Sequence, residues 1–376
     1  MKRIHASIWR SLALASLLWV GIGSGGTPQE PAPIVQSAKA APAAKRTAAY
    51  VFDRGTLHLR DDDASKLNQL NFSFGLIKDG KASGSHWYSI EHFKAYVKKH
   101  PHILPVLSMG GWGADGFSQA AATQEGRDRL VSSTIELMEQ HGFLGLDIDW
   151  EYPGISSAGI VSSPDDKQNF TLLLKAYRAA LDELEQQDGK YRMLAIALGA
   201  DPIVLRHIEG HAVGGIIDQI NLMTYDLQTP KVASHHTALY AADSAYPLSA
   251  QNAVTLFSEA GFPKSKMMIG TAFYGRIYTL SKSTDTPVFA SATNNGQSSV
   301  MYSKIMSSGR WEFHFDDKAK APYGTDGKSF LTYDDPISIQ HKGAYVTQQG
   351  LMGIMCWEYG GDDSGELIRA MHGSVQ

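Results

Sequence analysis

Eight short apolar runs recur along the chain with helix-length segments between them, and this alternation most constrains the fold. The runs are AYVF (49–52), QLNFSFG (69–75), HILPVLSMG (102–110), LGLDIDW (144–150), MLAIALG (193–199), QINLMTY (219–225), MMIGTAF (267–273) and MGIMCWEY (352–359). Several spacers place apolar residues three and four apart, the period of a helix buried on one side. In RDRLVSSTIELMEQHG that stripe is Leu130, Ile135 and Leu137–Met138, with Gly142 as the stop. SPDDKQNFTLLLKAYRAALDELEQQ opens with Ser163 at the predicted N-cap and Pro164 in the first turn, and SGELIRAMHG forms the last helix. Eight strand–helix alternations predict an α/β protein, a (β/α)8 TIM barrel. The rival, an open doubly wound sheet, ordinarily carries a glycine-rich phosphate turn, and neither GxGxxG nor GxxxxGK[ST] occurs.

One spacer is too long for a plain barrel connection. Residues 276–336 contain strand-like pieces (WEFHF, SFLTYDD) and a helical piece (VMYSKIMSSG), predicting a small α+β insertion between strand seven and its helix. At the C-terminal rim it would wall a cleft. The barrel itself is expected over 48–376. Residues 1–26 read as a secretory signal, with Lys2, Arg3 and Arg10 before an apolar stretch (Leu12–Ile22) too short to span a bilayer. Residues 27–47, rich in Pro, Ala and basic residues, read as a flexible leader. The expectation is a secreted, extracellular monomer with no stable membrane association after signal removal.

Composition narrows the chemistry. A net charge of −4 without a basic run gives no reason to expect nucleic acid. The single cysteine, Cys356, excludes an intramolecular disulfide. No CxxC or HExxH pattern occurs, so no metal and no cofactor is expected; His235–His236 sit in a polar loop and read as solvated or as loop contacts.

The fourth run carries the most informative residues. In GFLGLDIDWEYPG, Asp147, Asp149 and Glu151 alternate with Ile148 and Trp150. Alternate strand residues share a side, so the three acids project together while Leu146, Ile148 and Trp150 pack outward. In a barrel the acids enter the interior, with Glu151 at the C-terminal mouth where barrel enzymes place their sites. Crowding and desolvation raise the pKa of at least one of them, as a general acid requires.

LGLDIDWEYPG resembles the catalytic strand of glycoside hydrolase family 18 chitinases, whose pattern is DxxDxDxE followed by an aromatic residue and proline. LSMGGW (107–112) is similar to that family's third strand, INLMTYD (220–226) to its sixth, GTAFYGR (270–276) to its seventh and GIMCWEY (353–359) to its eighth. FLTYDDPISI (330–339) resembles the end of the insertion domain in one branch of the family. The likeness covers 48–373 in order. It departs at Leu144, where the family has its first Asp, implying altered tuning of Asp147. It departs again at LQTPKVASHH (227–236), where a tryptophan is usual.

The resemblance implies hydrolysis of β-1,4-linked N-acetylglucosamine in chitin or chitooligosaccharides, by the substrate-assisted route that sets family 18 apart from two-carboxylate glycosidases. Glu151 would protonate the leaving oxygen while the sugar's own acetamido oxygen attacks. Asp149 would orient the acetamido N–H, Asp147 would share its proton, and Tyr225 would bond the acetamido carbonyl. Met223 and Asp226 would border that subsite and Trp357 would be the sugar's floor. Trp112, Tyr152, Gly111, Tyr274, Arg276 and Phe74 would contact substrate, with Ser108 bonding Asp147. Tyr50 reads equally well as core, and Trp87 as an extension of the groove. The alternatives are an N-acetylglucosaminidase acting on peptidoglycan or glycoprotein glycans, and a chitin-binding lectin, which the intact Glu151 disfavours.

Overall fold

The computed structural model describes residues 45–376, so the signal reading and the leader up to residue 44 lie outside the described residues. Fourteen strands follow in chain order: β1 (Arg46–Phe52), β2 (Gln69–Lys78), β3 (Lys81–Ser83), β4 (Leu104–Gly110), β5 (Gly145–Asp149), β6 (Met193–Gly199) and β7 (Gln219–Met223). The others are β8 (Met267–Ala272), β9 (Tyr274–Thr279), β10 (Ser298–Met301), β11 (Glu312–Asp316), β12 (Ala321–Thr325), β13 (Ser329–Thr332) and β14 (Gly353–Trp357). Neighbours run β1-β14-β8-β7-β6-β5-β4-β2, and β1 pairs with β2 to close the ring. All of those pairings are parallel, giving a (β/α)8 barrel.

Each of the eight apolar runs falls on one barrel strand. β1 begins at Arg46, two residues before the boundary expected from composition, because Arg46 and Thr47 already pair with Gly353 and Ile354 of β14. The hairpin strand β3 and the insertion strands β10 and β12 had no clear apolar signature; their exposed or glycine- and proline-bearing sequences hid them. Outward side chains meet the helices. Trp150 stacks on Phe117 (5.4 Å, 13°) and meets Phe170 edge-on, burying the side of β5 opposite its acids.

Helix Gln124–His141 starts at Thr123, whose side chain accepts from the Gly126 amide, and stops at Gly142. The helix expected to open at Ser163 runs Asp166–Asp188 instead. The buried Asp166 carboxylate accepts from the Ser163 and Gly154 amides and the Ser118 hydroxyl (2.7, 3.1 and 2.7 Å), holding the Ser163–Pro164 segment as a turn outside the helix.

Between β8 and helix Pro336–Gln349 the chain builds a five-stranded antiparallel sheet ordered β10-β9-β13-β12-β11, with helix Tyr302–Ser307 inserted after β10. A fully buried ion pair anchors its exit. Lys342 Nζ bonds both Asp334 oxygens (2.8 and 2.7 Å) and Thr237, while Asp334 also accepts from the Ala272 amide at the end of β8. Removing one partner would strand a buried charge, which makes this clamp costly to break.

Candidate active site

β5 aims Asp147 and Asp149 into the barrel, and the chain continues the same alternation through Trp150 to Glu151. Asp147 is fully buried and has a donor for each oxygen. Oδ2 accepts from Tyr50 (2.9 Å) and Ser108 (2.8 Å), and Oδ1 from the Asn221 amide (3.0 Å). Burial raises its pKa, the three donors oppose the rise, and it comes to about 6. Leu144 is not among the groups bonded to Asp147. It precedes β5, and the groups that bond Asp147 come from other elements.

Asp149 is treated differently. Burial, then the charges of Glu151 and Asp147, push its pKa well above the carboxylate range. Among the described residues its Oδ1 has no hydrogen-bond partner. Gly110, at φ +119°, lets β4 approach closely; a Cβ there would lie 2.1 Å from the Asp149 carbonyl oxygen. Gly111 donates its N–H to that carbonyl (2.9 Å), and a Cβ on it would press within 2.7 Å of the Phe74 ring. Gly111 therefore serves close packing behind the cleft and, contrary to the expected substrate contact, does not border it.

Glu151 is buried at the mouth. Desolvation raises its pKa, the neighbouring Tyr152 hydroxyl opposes, the Asp226 charge adds to the rise, and the value reaches about 7. Across from it, β7 ends at Met223 rather than at Tyr225 as its sequence suggests. Thr224 leaves the ladder and its hydroxyl bridges to the backbone of Gly270, donating to O and accepting from N, both at 2.8 Å. That turn delivers Tyr225, which lies over Gly270 with Tyr274 edge-on at 6.2 Å. Asp226 follows at φ +57° and takes a two-pronged bond from Arg276 (2.7 and 2.6 Å). Burial pushes Asp226 up, but His236 and Arg276 outweigh it and hold its carboxyl well below the usual range.

An aromatic wall completes the mouth. Trp357 ends β14 and packs on Phe74 (5.5 Å, 23°), Tyr50 (5.8 Å) and Phe52 (5.9 Å). Trp112 stands 66% exposed at the rim, edge-on to Tyr152 at 6.5 Å. Phe74, Trp112, Asp149, Glu151, Tyr152, Met223, Tyr225, Asp226, Tyr274, Arg276 and Trp357 border one cleft of about 870 Å³. Asp147 and Ser108 lie behind it. Such a concave site with a few convergent polar groups and displaced pKa values suits binding and proton transfer.

Several sequence readings change. Trp87 does not extend the groove; its indole donates to the Phe74 carbonyl (2.6 Å) and packs on Phe72 and Phe143. His235 and His236 are buried, not solvated: the first faces Asp316 (3.1 Å), the second Asp226 (3.4 Å). Tyr50 combines core packing with a bond to Asp147. Missed altogether were Asn221, the Arg54–Glu358 ion pair (2.7 Å) at the cleft edge, and Gln297, Ser299 and Met301, which the insertion contributes to the wall. Asn221 was readable, because Gln219, Asn221 and Met223 alternate inward as the acids do. The others sit on loops or edges without a periodic signal.

Similarity to known proteins agrees with this geometry. The family model "Glycosyl hydrolases family 18" matches residues 46–362. Chitinase A1 of Niallia circulans is 29% identical over 93% of this chain, which spans about half (52%) of that protein's length. Chitotriosidase-1 of Mus musculus is 34% identical over 81% of this chain and 69% of its own. A solved glycoside hydrolase family 18 N-acetylglucosaminidase from Paenibacillus barengoltzii superposes with a TM-score of 0.85 at 35% identity, covering 88% of this chain and 99% of that one. With that match running from the first barrel strand past the last, and the three acids of its DxDxE segment meeting at the barrel mouth, this chain belongs to glycosyl hydrolase family 18.

Proposed function

We propose that the protein is a chitinase hydrolysing β-1,4 bonds between N-acetylglucosamine units by a retaining, substrate-assisted mechanism. One observation carries the reading: Asp149 and Glu151 enter the cleft from the same side of β5, both favouring the protonated form, with Tyr225 bordering the same space. Glu151, at about 7, holds a proton at mildly acidic pH and gives it to the departing glycosidic oxygen. The acetamido oxygen of the same sugar attacks the anomeric carbon as that bond breaks, forming a cyclic oxazolinium ion. Asp149, once its proton has passed to Asp147, stabilises the positive charge at the acetamido nitrogen, where a carboxylate lacking its own partner is most effective. Water, deprotonated by Glu151, then opens the ring with retained configuration. Tyr225 holds the acetamido oxygen in line, Trp357 supports the sugar's apolar face, and Asp226, Met223, Tyr274 and Arg276 flank that sugar.

The test uses a defined N-acetylglucosamine hexamer, reading product lengths and anomers over time; initial β products are expected. Glu151→Gln is expected to lose roughly 10³-fold in kcat while still binding the oligosaccharide. A fully de-N-acetylated polymer is expected to resist. Retained turnover in the variant, or rapid cutting of that polymer, would overturn the mechanism.

The likeness to the Paenibacillus enzyme favours a second reading, an N-acetylglucosaminidase. Release of monomer alone from the hexamer would select it, and binding without hydrolysis by the unaltered protein would select a lectin. Export rests on the basic and apolar pattern of residues 1–26. Recovery of a shortened chain from the culture medium is expected; the full-length chain retained in cells would count against it.

A further inference from the structure

The interior of this barrel below the acids mixes apolar side chains, among them Val106, Met193 and Met268, with polar ones. The polar ones are Arg46, Gln69, Asn71, Gln219 and Asn221, and the four amides are fully buried. Arg46 stands at the closed, N-terminal end of β1. Its Nη1 donates to Gln219 Oε1 at 2.7 Å and more weakly to Gln69 Oε1 at 3.3 Å, with Met193 sulfur at 3.0 Å. Gln219 Nε2 then donates to Asn221 Oδ1 (2.8 Å), and Asn221 Nδ2 to Asp147 Oδ1 (3.0 Å) and the Tyr50 oxygen (2.9 Å). The Tyr50 hydroxyl in turn donates a hydrogen bond to Asp147 Oδ2 (2.9 Å).

This chain has a direction. A guanidinium has only donors, so Gln219 must present oxygen to it and NH₂ to Asn221. Asn221 must in turn present its NH₂ to Asp147. Were Arg46 absent, both amides could turn over, and an Asn221 oxygen would then face the carboxylate. We propose that Arg46 is a positioning residue for the hydrolysis, fixing through Gln219 and Asn221 the donor that Asp147 receives. The inference rests on the proposed function for its kinetic consequence, though not for its structural one. The second branch, Gln69 Nε2 to Asn71 Oδ1 (2.7 Å), ends on an Asn71 NH₂ without a partner among the described residues and does not reach Asp147.

Asp147 is surrounded by few titrating groups. β1 contributes Tyr50, its own strand leads to Asp149 and Glu151, and Tyr225 follows β7. β4, β6 and β7 present Ser108, Ala195 and Asn221, none of which titrates. Loss of the Asn221 donor therefore favours protonated Asp147, leaving less capacity to take up the proton that Asp149 must release when positive charge develops.

The test follows the aspartate carboxyl carbons of the full chain by ¹³C NMR during pH titration, alongside hexamer hydrolysis. Arg46→Met is expected to raise the Asp147 midpoint by about one pH unit, lower kcat roughly tenfold and leave KM within about twofold, with Arg46→Lys restoring most of both. Gln219→Met keeps the Arg46 charge but breaks the relay, so it is expected to reproduce the shift, and the double variant to add nothing. An unchanged Asp147 midpoint in Gln219→Met would overturn the proposal even if Arg46→Met shifted it, because the effect would then be the field of the cation. Should Arg46→Met fail to fold, Gln219→Met alone decides. The titration needs no turnover: an inactive parent protein would sink the functional reading, while a normal shift would keep this one.

Discussion

The two ends of the barrel interior handle buried polarity in opposite ways. At the closed end, Gln219 and Asn221 are partnered in a chain that starts on Arg46, and Asp147 receives three donors. At the mouth, Asp149 keeps an oxygen without a partner and Glu151 borders open cleft. Although Asp147 is the more deeply enclosed, its pKa reaches only about 6, whereas Asp149 rises well above the usual range. Burial raises both; at Asp147 three donors hold the rise back, whereas at Asp149 the charges of Glu151 and Asp147 add to it. The protein completes the partners of Asp147 itself and leaves one oxygen of Asp149 without a partner among the described residues.

The largest effect should come from Asp149→Asn, which keeps shape and removes the carboxylate that forms when Asp149 gives up its proton. A loss of roughly 10²–10³-fold in kcat on the hexamer is expected, with KM changed little; a loss below tenfold would put the essential charge elsewhere.

Next is pH. With Glu151 needed as an acid, kcat/KM should fall as pH rises through about 7. The same displacement has a stability consequence of definite sign. A carboxyl whose folded pKa lies above its unfolded one contributes stability at low pH that is lost as pH rises through the folded value. Glu151→Gln should therefore be more stable than the parent at pH 8, by on the order of 2–3 kcal/mol, and nearly equal to it at pH 4. Thermal melts at the two pH values check this, and a gain independent of pH would deny the strain at the mouth.

Smaller is Tyr50→Phe, which takes one of three donors from Asp147 and no cleft volume. The Asp147 midpoint should move upward from about 6, with a stability loss of about 1 kcal/mol. Ser108→Ala, which removes another of the three donors, should act in the same direction. If either variant moved Asp149 more than Asp147, the contrast between the two ends would fail.

Much of this was legible before folding. The alternation in LGLDIDW put three acids on one side, and the eight apolar runs marked every barrel strand. Tyr225, Trp357, Asp226 and Arg276 were named from motif positions and border the same cleft. Asn221 obeys the same period-two rule, yet an amide in an apolar run carries less signal than a carboxylate. Arg46 looked like one more basic residue of a leader. His235 and His236 looked like loop polarity, because nothing local says that a loop will be covered.

What the sequence by itself determined is therefore the periodic part: which residues become strands, and which side of each strand is charged. Those follow from backbone geometry, which repeats within a few residues. The tertiary structure alone decided which partners those charges meet. Asp147 finds Tyr50 from 97 positions away and Asn221 from 74, and Arg46 finds Gln219 from 173. Barrel closure brings these groups together, and no local pattern encodes which amide will turn its NH₂ toward an acid.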